Sequence, residues 1–160
     1  MDIKKHIAAL GFVPKNGTNG IYHKIYVDYA IEIDFEKQSI NYGSGITADS
    51  KTTQNFSDTE NFVVLECVDK LLIKGYKPQN IVLEKTWPSG HGTSGRLDIC
   101  VNREDGTPYM LIECKTFGKE YNKELAKIRK DGGQLFTYFQ LSGSKADVLM
   151  LYASELKDDK

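Results

Sequence analysis

What the sequence lacks argues against several classes of protein. No apolar run approaches the roughly 18 residues that cross a membrane as a helix, so we expect no membrane partner. The first residues, MDIKKHIAALGF, lack the long apolar core and small-residue cleavage site of a signal peptide, which predicts a cytoplasmic protein. The net charge is −1, so the overall balance gives no basic signal for nucleic acid.

Cysteine is scarce, and internal repeats and low-complexity tracts are absent. The three cysteines, Cys67, Cys100 and Cys114, are an odd number in apolar settings without metal-ligand spacing. We therefore expect reduced core residues rather than a disulfide framework. With 160 residues, 40% of them hydrophobic and 27% charged, the chain is long enough for one compact domain with a real core.

Hydrophobic periodicity predicts two unequal parts, residues 1–56 and residues 57–160. The first part is predicted to be a small β-rich extension packed on the second. It begins with a short helix that Gly11 ends, and continues with the β-rich runs IYHKIYV, YAIEIDF and SINYG. A polar connector over residues 47–58 then leads into the second part.

The second part alternates helices and strands in the order αβββαβ. Ser57 or Asp58 is placed to cap the first helix, which Gly75 ends. A second helix is predicted over residues 119–141, with a kink at Asp131-Gly132-Gly133. The predicted strands are NIVLEKTW, RLDICV and YMLIECK before this helix and DVLMLYA after it. This order is typical of an α/β fold in which helices flank a mixed sheet.

Charged residues interrupt two of the predicted strands: Asp98 lies in RLDICV, and Glu113 and Lys115 lie in YMLIECK. A two-residue turn at Asp105-Gly106 would place Asp98 directly opposite Glu113. Strand alternation puts Lys115 on the same face as Glu113. A longer loop would shift this register.

Two carboxylates beside a lysine have two interpretations. In a salt-bridge cluster, Lys115 would neutralise one acid and leave a net negative pair near the core, which is poor for stability. A divalent cation between Asp98 and Glu113 would compensate both charges. Mg²⁺ prefers oxygen ligands and commonly combines one or two carboxylates with a substrate phosphate. The residues favour the metal, and the expected cofactor is Mg²⁺, with Mn²⁺ as a substitute.

The spacing from Asp98 to the Glu113-x-Lys115 triplet resembles that of the PD-(D/E)xK nucleases of the restriction-endonuclease-like fold. Gly95-Arg96 precedes the acid, as in the GR-x-D form of this group, and Leu97 stands where the family's name has Pro. The αβββαβ order agrees with the common core of that fold.

A second motif narrows the resemblance. Gln134-x-x-x-Tyr138 resembles the QxxxY motif of the nuclease domain at the N-terminus of type I restriction enzyme R subunits. The wider pattern over residues 20–154 is similar to the version fused to an adenine methyltransferase in single-polypeptide restriction-modification enzymes. Taken without the resemblance, Gln134 and Tyr138 read as a surface amide and a core aromatic.

The resemblance implies Mg²⁺-dependent cleavage of double-stranded DNA. Asp98 and Glu113 would bind the metal, and Lys115 would contact and position the nucleophilic water. Glu60 opens the predicted helix where many members carry an extra acid, so it would touch the metal shell. Gln134 and Tyr138 would support cleavage near the active site.

The resemblance also implies partners and leaves alternatives open. Helicase, methyltransferase and specificity modules would lie in the same polypeptide or complex, and the charged segment ELKDDK would begin a linker to them. The basic run over residues 115–130 is either a solvated helix face or a surface for the DNA backbone. The alternatives are a stand-alone resolvase or repair nuclease of the same fold, and a DNA-binding descendant that does not cleave. His91 could contact substrate but is more often an ordinary loop residue.

Overall fold

The described part of the chain forms two sheets and four α-helices. A computed structural model describes residues 2–88 and 95–155. The helices are α1 (Ile3–Ala9), α2 (Glu60–Ile73), α3 (Lys119–Asp131) and α4 (Gly133–Leu141). The strands are β1 (Val13–Pro14), β2 (Ile21–Tyr26), β3 (Tyr29–Asp34), β4 (Ser39–Asn41), β5 (Thr47–Ala48), β6 (Ile81–Thr86), β7 (Arg96–Asn102), β8 (Pro108–Thr116) and β9 (Val148–Ser154).

The two sheets confirm the predicted fold class. The N-terminal sheet is antiparallel, with the order β1-β2-β3-β4. The second sheet is mixed, with the order β5-β6-β7-β8-β9; its inner pairs are antiparallel and its two edge pairs are parallel. From α2 onward the elements follow the predicted αβββαβ order, except that the last predicted helix is two helices, α3 and α4.

The break between α3 and α4 falls at the predicted glycine pair. Gly132 has φ +87°, a left-handed conformation that glycine adopts without a steric penalty, and its N–H donates to the carbonyl of Ile128. The start of α2 also differs slightly from the prediction. Thr59 occupies the cap position, while the Asp58 carboxylate accepts the N–H of Glu60 at 2.9 Å.

The hairpin that joins β7 and β8 corrects one prediction. Its loop has three residues, Glu104-Asp105-Gly106, because the Arg103 N–H donates to the Thr107 carbonyl at 2.8 Å. Gly106 closes the turn with φ +80°. The two-residue turn at Asp105-Gly106 is therefore wrong.

The predicted register is nevertheless correct near the site. Val101 pairs with Met110 but Asn102 pairs with Pro108, so β8 carries one extra residue, Tyr109, in a bulge. This bulge offsets the longer loop. Ile99 then pairs with Ile112, and the next residues along the two strands are Asp98 and Glu113.

A shared core joins the N-terminal sheet to the mixed sheet. Ile31 and Ile33 of β3 pack in the same buried cluster as Phe62 of α2 and Ile112 of β8. On the other face of the mixed sheet, α4 packs through Leu135 and Tyr138. The three cysteines are buried and free, as expected for reduced core residues: Cys67, Cys100 and Cys114. Among residues 2–88 and 95–155, no helix is long and apolar enough to span a membrane.

Candidate active site

A cavity of about 400 Å³ opens beside strands β6, β7 and β8. The charged side chains that line this cavity include Glu60, Glu84, Asp98, Glu113, Arg96 and Lys115. Five of the predicted site residues therefore line one cavity: Glu60, Asp98, Glu113, Lys115 and Gln134. They come from α2, from the adjacent strands β7 and β8, and from α4.

The two strand carboxylates are held differently. Asp98 Oδ2 accepts the backbone N–H of Cys114 at 2.7 Å. Glu113 is 3% exposed, and its Oε2 has no hydrogen-bond partner among the described residues. Burial and the neighbouring Glu113 charge raise the pKa of Asp98 well above its ordinary value. Burial likewise raises the pKa of Glu113, against the opposing effect of Lys115. A cation at this pair would relieve both effects.

Lys115 places a cationic side chain beside Glu113 and Glu60. Its Nζ lies 2.9 Å from Glu113 Oε1 and 3.1 Å from Glu60 Oε1, and it also donates to the carbonyl of Cys114 at 2.9 Å. Burial alone would lower the pKa of Lys115, but the charges of Glu113 and Asp98 outweigh burial and raise it. Lys115 is therefore held as an ammonium that faces the carboxylates.

Gln134 reaches the cavity from the first turn of α4. The buried side chain of Glu124, on α3, accepts the Gln134 backbone N–H at 3.4 Å and pairs with Lys127 at 3.0 Å. Glu124 thus ties the start of α4 to α3. The amide side chain of Gln134 is exposed at the edge of the cavity and available to a ligand.

Tyr138 lies one turn further along α4 and is 2% exposed. Its hydroxyl donates to the backbone carbonyl of Arg96 at 2.8 Å, and its ring lies 6.0 Å from that of Trp87. A Cβ at Gly95 would come within 2.5 Å of the hydroxyl, so only glycine leaves room for this contact. Tyr138 is not among the cavity-lining residues; it anchors the start of β7, two residues before Asp98.

Glu84 is a site residue that the sequence reasoning missed. It is 3% exposed, lies on β6 beside β7, and has φ +51°, a conformation that is rare for residues other than glycine. Thr52 donates to its carboxylate, and the N–H and hydroxyl of Thr53 lie 3.3 Å from it. The signal was present, since Glu84 interrupts the apolar run IVLEK as Asp98 interrupts RLDICV.

The chain matches a known protein family. Residues 59–145, more than half of the chain, match the family described as the type I restriction enzyme R protein N terminus. The chain belongs to this family. Comparison with curated proteins gives no match. The matched range contains all six site residues predicted from the sequence: Glu60, Asp98, Glu113, Lys115, Gln134 and Tyr138.

Membership in the R protein N terminus family supports a restriction-enzyme-like function and the term nuclease. Two sequence predictions fall outside the described residues and gain nothing from the structure. One is the role of His91, and the other is the linker at the charged end, of which residues 156–160 are not described.

The donor set of this R protein N terminus fits a hard divalent cation. The carboxylates of Asp98 and Glu113 supply only oxygen ligands, and Glu113 Oε2 is buried without a hydrogen bond from any described residue. Within residues 2–88 and 95–155, no three His, Cys, Asp or Glu side chains form a metal-binding group. An ion held by this pair would therefore need further ligands that the described residues do not supply. Glu60 was predicted to contact the metal ion. Its carboxylate pairs with the Lys115 ammonium, and this contact does not test a metal-binding role. The role of Glu60 therefore stays a prediction.

Proposed function

We propose that this chain is the Mg²⁺-dependent endonuclease domain of a type I-like restriction-modification enzyme and hydrolyses phosphodiester bonds of double-stranded DNA. One observation carries the proposal. Asp98 and Glu113 are brought together on neighbouring strands inside an open cavity, with the Lys115 ammonium 2.9 Å from Glu113. In metal-assisted phosphodiester hydrolysis, carboxylates can hold the metal, a lysine can stabilise developing negative charge, and an open cavity can admit the phosphate.

Asp98 and Glu113 would hold the metal ion. When bound, Mg²⁺ supplies Lewis-acid polarisation of a phosphoryl oxygen and a lowered pKa for a bound water. The Cys114 N–H fixes one Asp98 oxygen, so that the carboxylate keeps its orientation whether or not the cation is present.

Lys115 is proposed to orient the attacking water and to stabilise the negative charge that develops on the phosphate. Its raised pKa keeps the side chain charged, so it donates hydrogen bonds and does not act as a general base. Glu60 and the Cys114 carbonyl accept hydrogen bonds from the ammonium and hold it in place. Glu60 is thus proposed to position Lys115.

The two residues of the QxxxY motif are proposed to have different tasks. Gln134 lines the cavity and would contact the substrate backbone through its amide. Tyr138 acts through the Arg96 carbonyl and so sets the position of β7. Burial raises the pKa of Tyr138 to about 12, so its hydroxyl stays protonated and keeps donating this hydrogen bond.

The proposed partners are double-stranded DNA and the helicase, methyltransferase and specificity modules of a restriction-modification enzyme, all in the cytoplasm. Lysines on the exposed side of α3 offer a surface for phosphates: Lys119, Lys123, Lys127 and Lys130. Lys119 also lines a second cavity, of about 550 Å³, that shares Glu60 and Lys115 with the first.

Plasmid cleavage with Mg²⁺ tests this function, in the full polypeptide that carries the chain. Asp98→Ala and Lys115→Ala should abolish cutting, whereas Lys77→Ala, an exposed lysine paired with Glu104, should not. If both active-site variants cut normally, the site assignment is wrong. Binding without cleavage by the wild-type protein would instead favour the non-cleaving DNA-binding alternative.

Metal affinity tests the proposed ligand set directly. With Asp98 and Glu113 as the proposed protein ligands, we expect the chain to bind Mg²⁺ or Mn²⁺ weakly, because substrate phosphate and water must complete the coordination. Calorimetric titration should show weak binding without DNA, and none in the Asp98→Asn variant. Tight binding without DNA would contradict this ligand set.

A further inference from the structure

Arg96 lines the cavity, but the mechanism proposed above does not use its side chain. It begins β7 two residues before Asp98, so both side chains project from the same face of the sheet. The Arg96 side chain lines the cavity and is 49% exposed, unlike its buried neighbour Leu97. A half-exposed guanidinium beside the carboxylate pair can meet a ligand that enters the cavity.

The backbone and side chain of Arg96 are both held in place. The Tyr138 hydroxyl fixes the Arg96 carbonyl at 2.8 Å. Arg96 Nη1 donates to Ser50 Oγ at 3.1 Å, and it lies 3.7 Å from Glu84 Oε1. Ser50 and Glu84 therefore contact the cationic side chain that lines the cavity, while Tyr138 holds its backbone.

Glu84 reaches this position at a conformational cost. Its φ of +51° lies in the left-handed region, which strains a residue with a side chain. Thr52 and Thr53 hold its buried carboxylate, so the surrounding structure maintains the strained conformation. The result is a fixed negative charge beside the Arg96 guanidinium.

We propose that Arg96 binds a backbone phosphate of the DNA beside the scissile phosphodiester, and that Glu84 positions its guanidinium. This inference rests on the proposed nuclease function and assigns a substrate contact within it. A guanidinium carries five N–H donors in a planar fork that matches phosphate. Among the described residues, the Arg96 side chain makes one hydrogen bond, to Ser50.

The competing role is that Arg96 only neutralises the buried Glu84. A dedicated counter-ion would be expected at hydrogen-bond distance and, for arginine with a carboxylate, often in a bidentate pair. Here the closest approach is 3.7 Å, and about half of the Arg96 side chain faces solvent. The geometry favours a guanidinium that is oriented by Glu84 and free for a second anion.

Salt-dependent DNA binding separates the two roles. The 160-residue chain is titrated with a short labelled duplex in EDTA, which prevents cleavage, at several NaCl concentrations. Arg96→Gln should lower the magnitude of the slope of log K against log [salt] by about 0.9, the value for one phosphate contact. Arg103→Gln is the matched control, because Arg103 follows the far end of β7 and pairs with Asp147; its slope should equal that of the wild type.

Cleavage by the full polypeptide tests the positioning role of Glu84. Glu84→Gln should leave the slope of log K against log [salt] unchanged but should slow cleavage. In an Arg96→Gln background, Glu84→Gln should cause no further loss of cleavage rate. Independent, additive losses would overturn the positioning role. Thermal unfolding of each variant reports any purely structural effect.

The remaining outcomes are also decisive. If the wild-type chain binds DNA and Arg96→Gln keeps the wild-type slope, Arg96 is only a counter-ion and this inference is wrong. If the wild-type chain does not bind DNA, the proposed function itself fails. Should Arg96→Gln not fold, Arg96→Lys replaces it. This variant keeps the positive charge, so the slope of log K against log [salt] should be unchanged. Cleavage should be slower, because lysine cannot form the planar fork. Wild-type cleavage by Arg96→Lys would overturn the inference.

Discussion

The ammonium of Lys115 lies 2.9 Å from Oε1 of Glu113, two residues before it on the same strand. A salt bridge between them therefore does exist, as the first interpretation of the sequence required. It uses one Glu113 oxygen and leaves the other buried without a hydrogen bond from any described residue. The salt-bridge interpretation is therefore confirmed for one Glu113 oxygen, whereas a metal ion that would compensate the remaining carboxylate oxygens stays a prediction.

Lys115→Met should slow DNA cleavage by about 10²-fold or more, since charge stabilisation in the transition state is lost. The variant should also be less stable than the wild type at pH 8, because Glu113 and Asp98 lose their counter-ion, and the difference should shrink at pH 5. Single-turnover cleavage and thermal unfolding measure these effects. Equal stability losses at both pH values would contradict the electrostatic explanation, and Lys77→Met serves as the exposed control.

Without a metal, the stability of the protein should depend on pH through Asp98. Burial and the Glu113 charge raise the pKa of Asp98 to about 8, whereas an unfolded aspartate titrates near 4. The folded state therefore binds more protons between these values, and its contribution to stability is lost as pH rises from about 4 to about 8.

Asp98→Asn should flatten this dependence and raise the melting temperature at pH 8, while abolishing cleavage. The asparagine Oδ1 can still accept the Cys114 N–H, so the fold keeps that contact. Calorimetry in EDTA at several pH values gives the comparison. An unchanged pH dependence in Asp98→Asn would refute the assignment; Asp28→Asn, at an exposed position in the turn between β2 and β3, is the control.

Gln134→Ala should slow cleavage without a loss of stability, because the Gln134 side chain is exposed and lines the cavity. The contact that holds α4 to Glu124 uses the Gln134 backbone N–H and survives the substitution. Gln140→Ala, another exposed glutamine of the same helix, should cut like the wild type. Similar rates for Gln134→Ala and Gln140→Ala would remove Gln134 from the site.

Gly95→Ala should destabilise the protein, because the new Cβ would lie 2.5 Å from the Tyr138 hydroxyl. Tyr138→Phe alone should cost about 1 kcal/mol through the lost hydrogen bond to Arg96. The double variant should lose less stability than the two single losses added together, since removing the hydroxyl relieves the closest clash. Urea unfolding measures this coupling, and additive losses would show that Gly95 and Tyr138 act independently.

The sequence was sufficient to predict the αβββαβ order from α2 onward, apart from the division of the last helix, and the meeting of Asp98 with Glu113. Helix and strand periodicities differ, and the Gly132-Gly133 pair marks a helix break, so these features are encoded locally. The register near the site was also predicted correctly, although through the wrong turn. A three-residue loop and a bulge at Tyr109 offset one another, and such compensation depends on how β8 packs against both neighbouring strands.

Other parts of the site depend on contacts between segments far apart in the chain. Nothing local shows that Thr52 and Thr53, in the polar connector, hold Glu84, or that Tyr138 reaches the Arg96 carbonyl 42 residues away. The left-handed backbone of Glu84 is likewise maintained by its surroundings and not by its own preference. The sequence determined which charged residues share a face, because strand alternation is a local property. Only the tertiary structure decided which of them line one cavity, because that depends on how the connector, α2 and α4 pack around the sheet.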